Sequence, residues 1–126
     1  MNKIAEEILE CMLELIETDD KKLRARFIFP DKFIGFQGHF PEKKILPGIC
    51  KIQAVIIMLE TYYKRKVRLK EITQAKYFAP VSSGDELIFE CQLNVENGEE
   101  IKIKALITCN NNKIAVLQLE ACLNNK

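Results

Sequence analysis

The 126-residue sequence is poor in residues that mark several large functional classes: it has one histidine, no tryptophan, four prolines and five glycines. One histidine and no Cys-x-x-Cys pair exclude the common structural zinc sites, which need clustered thiols and imidazoles. The five cysteines (Cys11, Cys50, Cys91, Cys109 and Cys122) are odd in number and widely spaced. They read as reduced thiols of a cytoplasmic chain, packed as small apolar groups. An excess of one charge is missing too. Nineteen Lys and Arg face eighteen Asp and Glu, so no overall field draws the chain to nucleic acid or an anionic membrane. The longest apolar run, Ala54 to Leu59, has six residues where a membrane span needs about twenty. Glu6, Glu7 and Glu10 interrupt the first apolar residues, unlike a secretion signal.

What is there fits an ordinary globular protein: 48% hydrophobic residues, 29% charged, and a length suited to one domain over residues 1–126. Residues 2–17 place Ile4, Ile8, Cys11, Met12, Leu15 and Ile16 on one side and glutamates on the other, which predicts an amphipathic N-terminal helix. Residues 21–29 alternate as a half-buried strand. Residues 31–47 hold Gly35, Gly38, Pro41 and Pro47 beside Phe33, Ile34, Phe36 and Phe40, a loop too apolar to stand in water. Pro47-Gly48 then opens a helix over about residues 47–63, apolar on most of its circumference and therefore enclosed. Strand candidates follow at 72–81, 87–95, 101–107 and 114–123, with turns at Asn97-Gly98 and Asn110-Asn111-Asn112. The expected architecture is α+β, an antiparallel sheet wrapped around one central helix.

The segment Gly38-His39-Phe40-Pro41-Glu42-Lys43-Lys44-Ile45-Leu46-Pro47-Gly48-Ile49 resembles the signature of β-hydroxyacyl-ACP dehydratases of the FabZ and FabA type. In that family a Gly-His-Phe-Pro turn precedes an apolar pair, Pro-Gly and the central helix of a hotdog fold. Ala75 to Leu87, with Pro80-Val81, Ser82-Ser83 and Gly84-Asp85, resembles the family's later strand and turn. The resemblance covers roughly residues 36–90 and implies a homodimer or higher oligomer, up to a hexamer, whose sheets join and whose acyl tunnels lie at the interface. A heterodimer is the alternative assembly. It further implies that His39 removes the C2 proton of a 3-hydroxyacyl thioester and that the Gly48 amide holds the thioester carbonyl. A neutral imidazole suits proton removal near pH 7, and helix N-terminal amides suit a developing enolate oxygen. Phe36, Phe40, Pro47, Ile49, Tyr77 and Phe78 are the candidate substrate contacts. No cofactor or metal is implied. The partner is an acidic acyl carrier protein, which Lys43, Lys44, Lys64, Arg65 and Lys66 are candidates to dock.

The sequence departs from the pattern five residues after Gly48, where the family has the acid that protonates the leaving hydroxyl. This chain has Gln53. An amide donates hydrogen bonds but delivers no proton at neutral pH, and losing a positioned acid costs about 10²–10⁴-fold in rate. The leading expectation is a hydro-lyase of fatty-acid or related acyl-chain synthesis, with chemistry altered or impaired at Gln53. The alternatives are a non-catalytic acyl-carrier or acyl-thioester binding subunit, an enoyl-thioester isomerase working with His39 alone, and a thioesterase using Glu42 or Glu60.

Overall fold

Asn2 opens the chain's first helix by accepting a hydrogen bond from the Ala5 amide at 2.8 Å, an N-cap. The computed structural model describes residues 2–36 and 45–124. Helix α1 covers Lys3–Cys11 and buries Ile8 and Cys11. It stops there, and Met12 turns extended (φ −80°, ψ 114°) to begin strand β1, Met12–Asp19. The expected helix over 2–17 is thus half helix and half strand. The reason is tertiary: β1 pairs antiparallel with β2, Lys22–Ile28, setting Leu15 opposite Ala25 and Glu14 opposite Arg26. Arg26 then bonds the Glu14 carboxylate at 3.2 Å and that of Glu86 at 2.7 Å. Pairing outweighs a local helical pattern, because intrinsic propensities differ by well under about 1 kcal/mol per residue.

A short 3₁₀ turn at Ile34–Phe36 precedes α2, Gly48–Tyr63. Four long strands follow: β3 Val67–Tyr77, β4 Glu86–Glu96, β5 Glu100–Cys109 and β6 Asn112–Leu123. They join the first two in one antiparallel sheet of order β1-β2-β4-β5-β6-β3. Asn97-Gly98 and Asn110-Asn111, all with positive φ, make the two tight turns that the sequence predicts.

Alternation along the central strands puts Leu23, Phe27, Leu87, Phe89, Ile103, Ile107, Leu117 and Leu119 on one face. That face curls around α2, whose Cys50, Ala54, Val55, Ile57, Met58 and Leu59 are buried. Arg24, Glu90, Gln92, Lys102 and Lys104 stand exposed on the opposite side. This is the hotdog arrangement. Apart from its ends at Gly48 and Thr61–Tyr63, a narrow stripe of α2 escapes the core: Ile49 is exposed, and Gln53, Ile56 and Glu60 are half-buried. The spacing i, i+4, i+7, i+11 makes it one helical face.

Candidate active site

Pro47 is the N-cap of α2, with φ −62° and ψ 149°, and among the described residues no side chain caps the helix start. A proline there costs no hydrogen bond, since the first-turn amides have no partner within the helix. The entry segment is pinned by the Leu46 amide, which donates to the Val81 carbonyl at 2.9 Å, and by a bridge between Ile45 and Ser82. The same turn carries the chain away from the end of β3, where the Phe78 amide donates to the Ile114 carbonyl at 2.8 Å. Tyr77 is thereby laid across the helix mouth. A Cβ on residue 48 would stand 2.7 Å from Tyr77 Cζ and 2.8 Å from its Oη, so this contact requires glycine.

Between these elements lies a pocket of about 390 Å³, lined by Leu46, Gly48, Lys51, Tyr77, Phe78 and Pro80 among others. Of the residues that the sequence singles out, Gly48, Tyr77 and Phe78 meet here. Pro47 adjoins them as the cap, whereas Ile49 and Gln53 lie on the uncovered stripe of α2. Gln53 Oε1 is buried without a hydrogen-bond partner. Phe36 is core, 2% exposed and packed edge-on against Phe33 at 5.6 Å between centroids. His39, Phe40, Lys43, Lys44 and Glu42 lie outside the described residues.

The candidate docking residues Lys64, Arg65 and Lys66 sit just beyond the other end of α2, about 24 Å from Gly48 along a helix that rises about 1.5 Å per residue. Lys64 is the left-handed C-cap, and Arg65 Nε bonds the Asn124 carbonyl at 3.1 Å. Within one chain they do not reach the pocket. The base beside it is Lys113, whose Nζ lies 5.5 Å from the Phe78 ring centroid. Glu60 also points elsewhere: its carboxylate accepts from the Val67 amide at 3.0 Å, fastening the start of β3 to α2.

Lys51 is the residue that sequence reasoning missed. It is 3% exposed, its Nζ donates to the Leu46 carbonyl at 3.2 Å, and it lies 5.3 Å from the Tyr77 ring centroid. Burial lowers its pKa from the ordinary lysine value, and burial raises that of Tyr77. The available signal was its setting in Ile49-Cys50-Lys51-Ile52, a charge inside a helix read as enclosed.

Comparison with known proteins bears on the family and the fold. The ApeI-like family model, that of ApeI dehydratase, matches residues 15–117. The 3-hydroxyacyl-(acyl-carrier-protein) dehydratase FabZ of Wolbachia sp. subsp. Drosophila simulans (strain wRi) is 30% identical over 98 residues, 72% of this chain and 68% of that protein. FabZ of Clostridium acetobutylicum is 33% identical over 85 residues, 62% of this chain and 60% of its own. Among solved structures, the dehydratase heterocomplex ApeI:P from Xenorhabdus doucetiae superposes with a TM-score of 0.74 at 16% identity, over 88% of this chain and 96% of that one. A sigma28-regulated virulence protein from Campylobacter jejuni gives 0.70 at 13% identity, over 98% of both chains. At such identities the structures speak for the fold alone.

Proposed function

We propose a reaction for this chain from one premise: it belongs to the ApeI-like dehydratase family. The substrate is a 3-hydroxyacyl thioester on acyl carrier protein, and water leaves across C2 and C3. His39 takes the C2 proton, the Gly48 amide holds the thioester carbonyl, and the electron pair of the broken C–H bond passes through the enolate to C2=C3 as the hydroxyl departs. Gln53 orients that hydroxyl, or a water that protonates it, because an amide has no proton to give. The observation that carries this reading is the start of α2, uncapped by any side chain among the described residues and opening on a shallow, largely apolar pocket beside Tyr77. Amides so placed stabilise negative charge on an oxygen.

The site is completed by a second subunit in this reading. Among the described residues the outer edge of β3 has no partner strand, and the stripe of α2 bearing Gln53 lies uncovered. Joining two copies there covers both.

Incubating the protein with 3-hydroxyacyl-ACP and following water loss by mass spectrometry tests the proposal. The expected result is slow turnover, lowered about 10²–10⁴-fold by His39→Ala and raised about 10–100-fold by Gln53→Glu, which restores an acid. No turnover by either the wild type or Gln53→Glu removes the dehydratase reading.

A second reading rests on Gln53 itself: a pocket without its acid serves as the acyl-binding half of a heterodimer. Binding of acyl-ACP that persists in His39→Ala, with no activity in any variant, selects it. Alkene migration without hydration selects the isomerase. Free thiol release selects a thioesterase, for which Glu60, held at Val67, offers no carboxylate at the Gly48 pocket.

A further inference from the structure

Lys51 is the one fully buried polar or charged side chain among the described residues. Burying an ammonium is costly unless opposite charge or hydrogen bonds compensate it. Among the described residues no carboxylate pairs with it. An ammonium has three N–H donors, and the acceptor the structure provides is the Leu46 carbonyl at 3.2 Å.

Its position gives the spare donors a direction. Lys51 lies three residues after Gly48, so both share one face of α2 a single turn apart. Helical side chains lean towards the N-terminus. Lys51 does so far enough to reach Leu46, which precedes the helix. Its Nζ is therefore returned to the helix mouth, where Gly48 and Lys51 line the same pocket. Tyr77 touches both, its ring 5.3 Å from Nζ and its hydroxyl against Gly48. The aromatic face offsets part of the cost of the charge.

We propose that Lys51 is a second oxyanion donor, acting with the Gly48 amide on the carbonyl oxygen of the bound thioester. This deepens the thioester reading above and rests on it. When the C2–H bond breaks, the proton goes to the base and the electron pair delocalises onto the carbonyl oxygen. The Lys51 ammonium donates a hydrogen bond to that oxygen and keeps its own proton. A full charge in an apolar pocket stabilises an enolate more than a neutral donor does. Lys51 thus eases removal of the C2 proton, whereas departure of the hydroxyl still depends on the proton source that Gln53 orients.

The test is hydrogen exchange at C2 in deuterated water, read by mass spectrometry. Octanoyl-pantetheine can only exchange, whereas 3-hydroxyoctanoyl-pantetheine can also lose water. Wild type exchanges both. Lys51→Met lowers the exchange rate about 100-fold, the usual loss for one oxyanion donor, while KM stays within threefold. Lys51→Arg stays within tenfold of wild type. Lys51→Met exchanging at the wild-type rate overturns the proposal and leaves the dehydratase reading standing. Exchange without water loss overturns the dehydratase reading and leaves Lys51 its role. Neither exchange nor water loss in the wild type overturns both. A second readout needs no variant: the ¹⁵N signal of the buried ammonium shifts when octanoyl-pantetheine binds, and an unchanged signal overturns the proposal.

Discussion

Single residues carry different burdens in this molecule, and two of them make separable predictions. At Gly48 the constraint is space beneath Tyr77 rather than backbone conformation. Alanine favours a helix by up to about 1 kcal/mol, and Tyr77, 47% exposed, has room to swing outward. Gly48→Ala is therefore expected to melt within a few degrees of wild type. Its dehydration rate should nevertheless fall at least tenfold, because the displaced ring no longer roofs the amide. Thermal melts beside turnover assays check both halves. Cys91 makes the second prediction. It is 2% exposed in β4, and desolvation, with Glu90 second, pushes its pKa up to about 12 from 9.0. A raised pKa means that the folded state holds the proton more tightly than the unfolded state. The associated stability is complete below pH 9 and is lost as pH rises from 9 towards 12, at up to about 1.4 kcal/mol per pH unit. Denaturant titrations between pH 8 and 11 should show a shallower decline for Cys91→Ala than for wild type, whatever the offset from its small cavity.

Elements show where the sequence was legible and where it was not. The α2 onset at Pro47-Gly48, the alternation of β4, β5 and β6 and both asparagine turns follow from local rules, and the structure keeps them. Residues 12–19 obey a helical pattern as well as any, yet they extend because β2 offers a partner row of backbone groups that no local rule sees. β3 begins at Val67 rather than Ile72 for a related reason. Arg68 and Lys70 look like a solvated charge run, but on an exposed edge strand charged side chains are tolerated while the backbone pairs with β6. Within the site, Gly48, Tyr77 and Phe78 were legible by motif, whereas Lys51 was not, since a helical lysine reads as solvent-facing until every neighbour is known to be buried. Docking of α1 through buried Ile8 and Cys11 follows from its apolar face, whereas the long-range bond that adds to it was illegible: the Glu7 carboxylate accepts from the Ile34 amide at 2.9 Å. Glu7→Ala should cost about 1–3 kcal/mol by stranding that part-buried amide. Glu7→Gln should recover most of the loss, because its amide oxygen still accepts. Chemical denaturation of the three proteins decides this.

At the scale of the whole molecule the proposed dimer raises the question of which sheet edge would meet a second copy. Both edges, β1 and β3, bear exposed apolar groups. Charge does not separate them. β1 carries Glu14, Glu17 and Asp19 and no base, so two β1 strands related by a two-fold axis would set like charges together. β3 carries Arg68, Lys70 and Lys76 beside Glu71, and pairing about Ile72 likewise sets Arg68 opposite Lys76 of the copy, while Lys70 and Glu71 meet uncharged Gln74 and Thr73. Apolar surface separates them: four of the seven exposed large hydrophobics among the described residues, Ile49, Ile72, Tyr77 and Phe78, lie on β3, just beyond it, or on the open stripe of α2. Ile72 is the middle residue of the eleven in β3. A two-fold axis across that strand therefore brings it close to its own copy. Ile72→Glu should place two carboxylates there, opposing association without touching the core, since Ile72 is 43% exposed. Wild type is expected to sediment as a dimer or larger at micromolar concentration. Ile72→Glu should sediment as a monomer with unchanged circular dichroism and no dehydration activity, because Gln53 and the Gly48 pocket then lack the subunit that completes them. A wild-type monomer that turns over substrate would refute the shared site, and an active Ile72→Glu monomer would do the same.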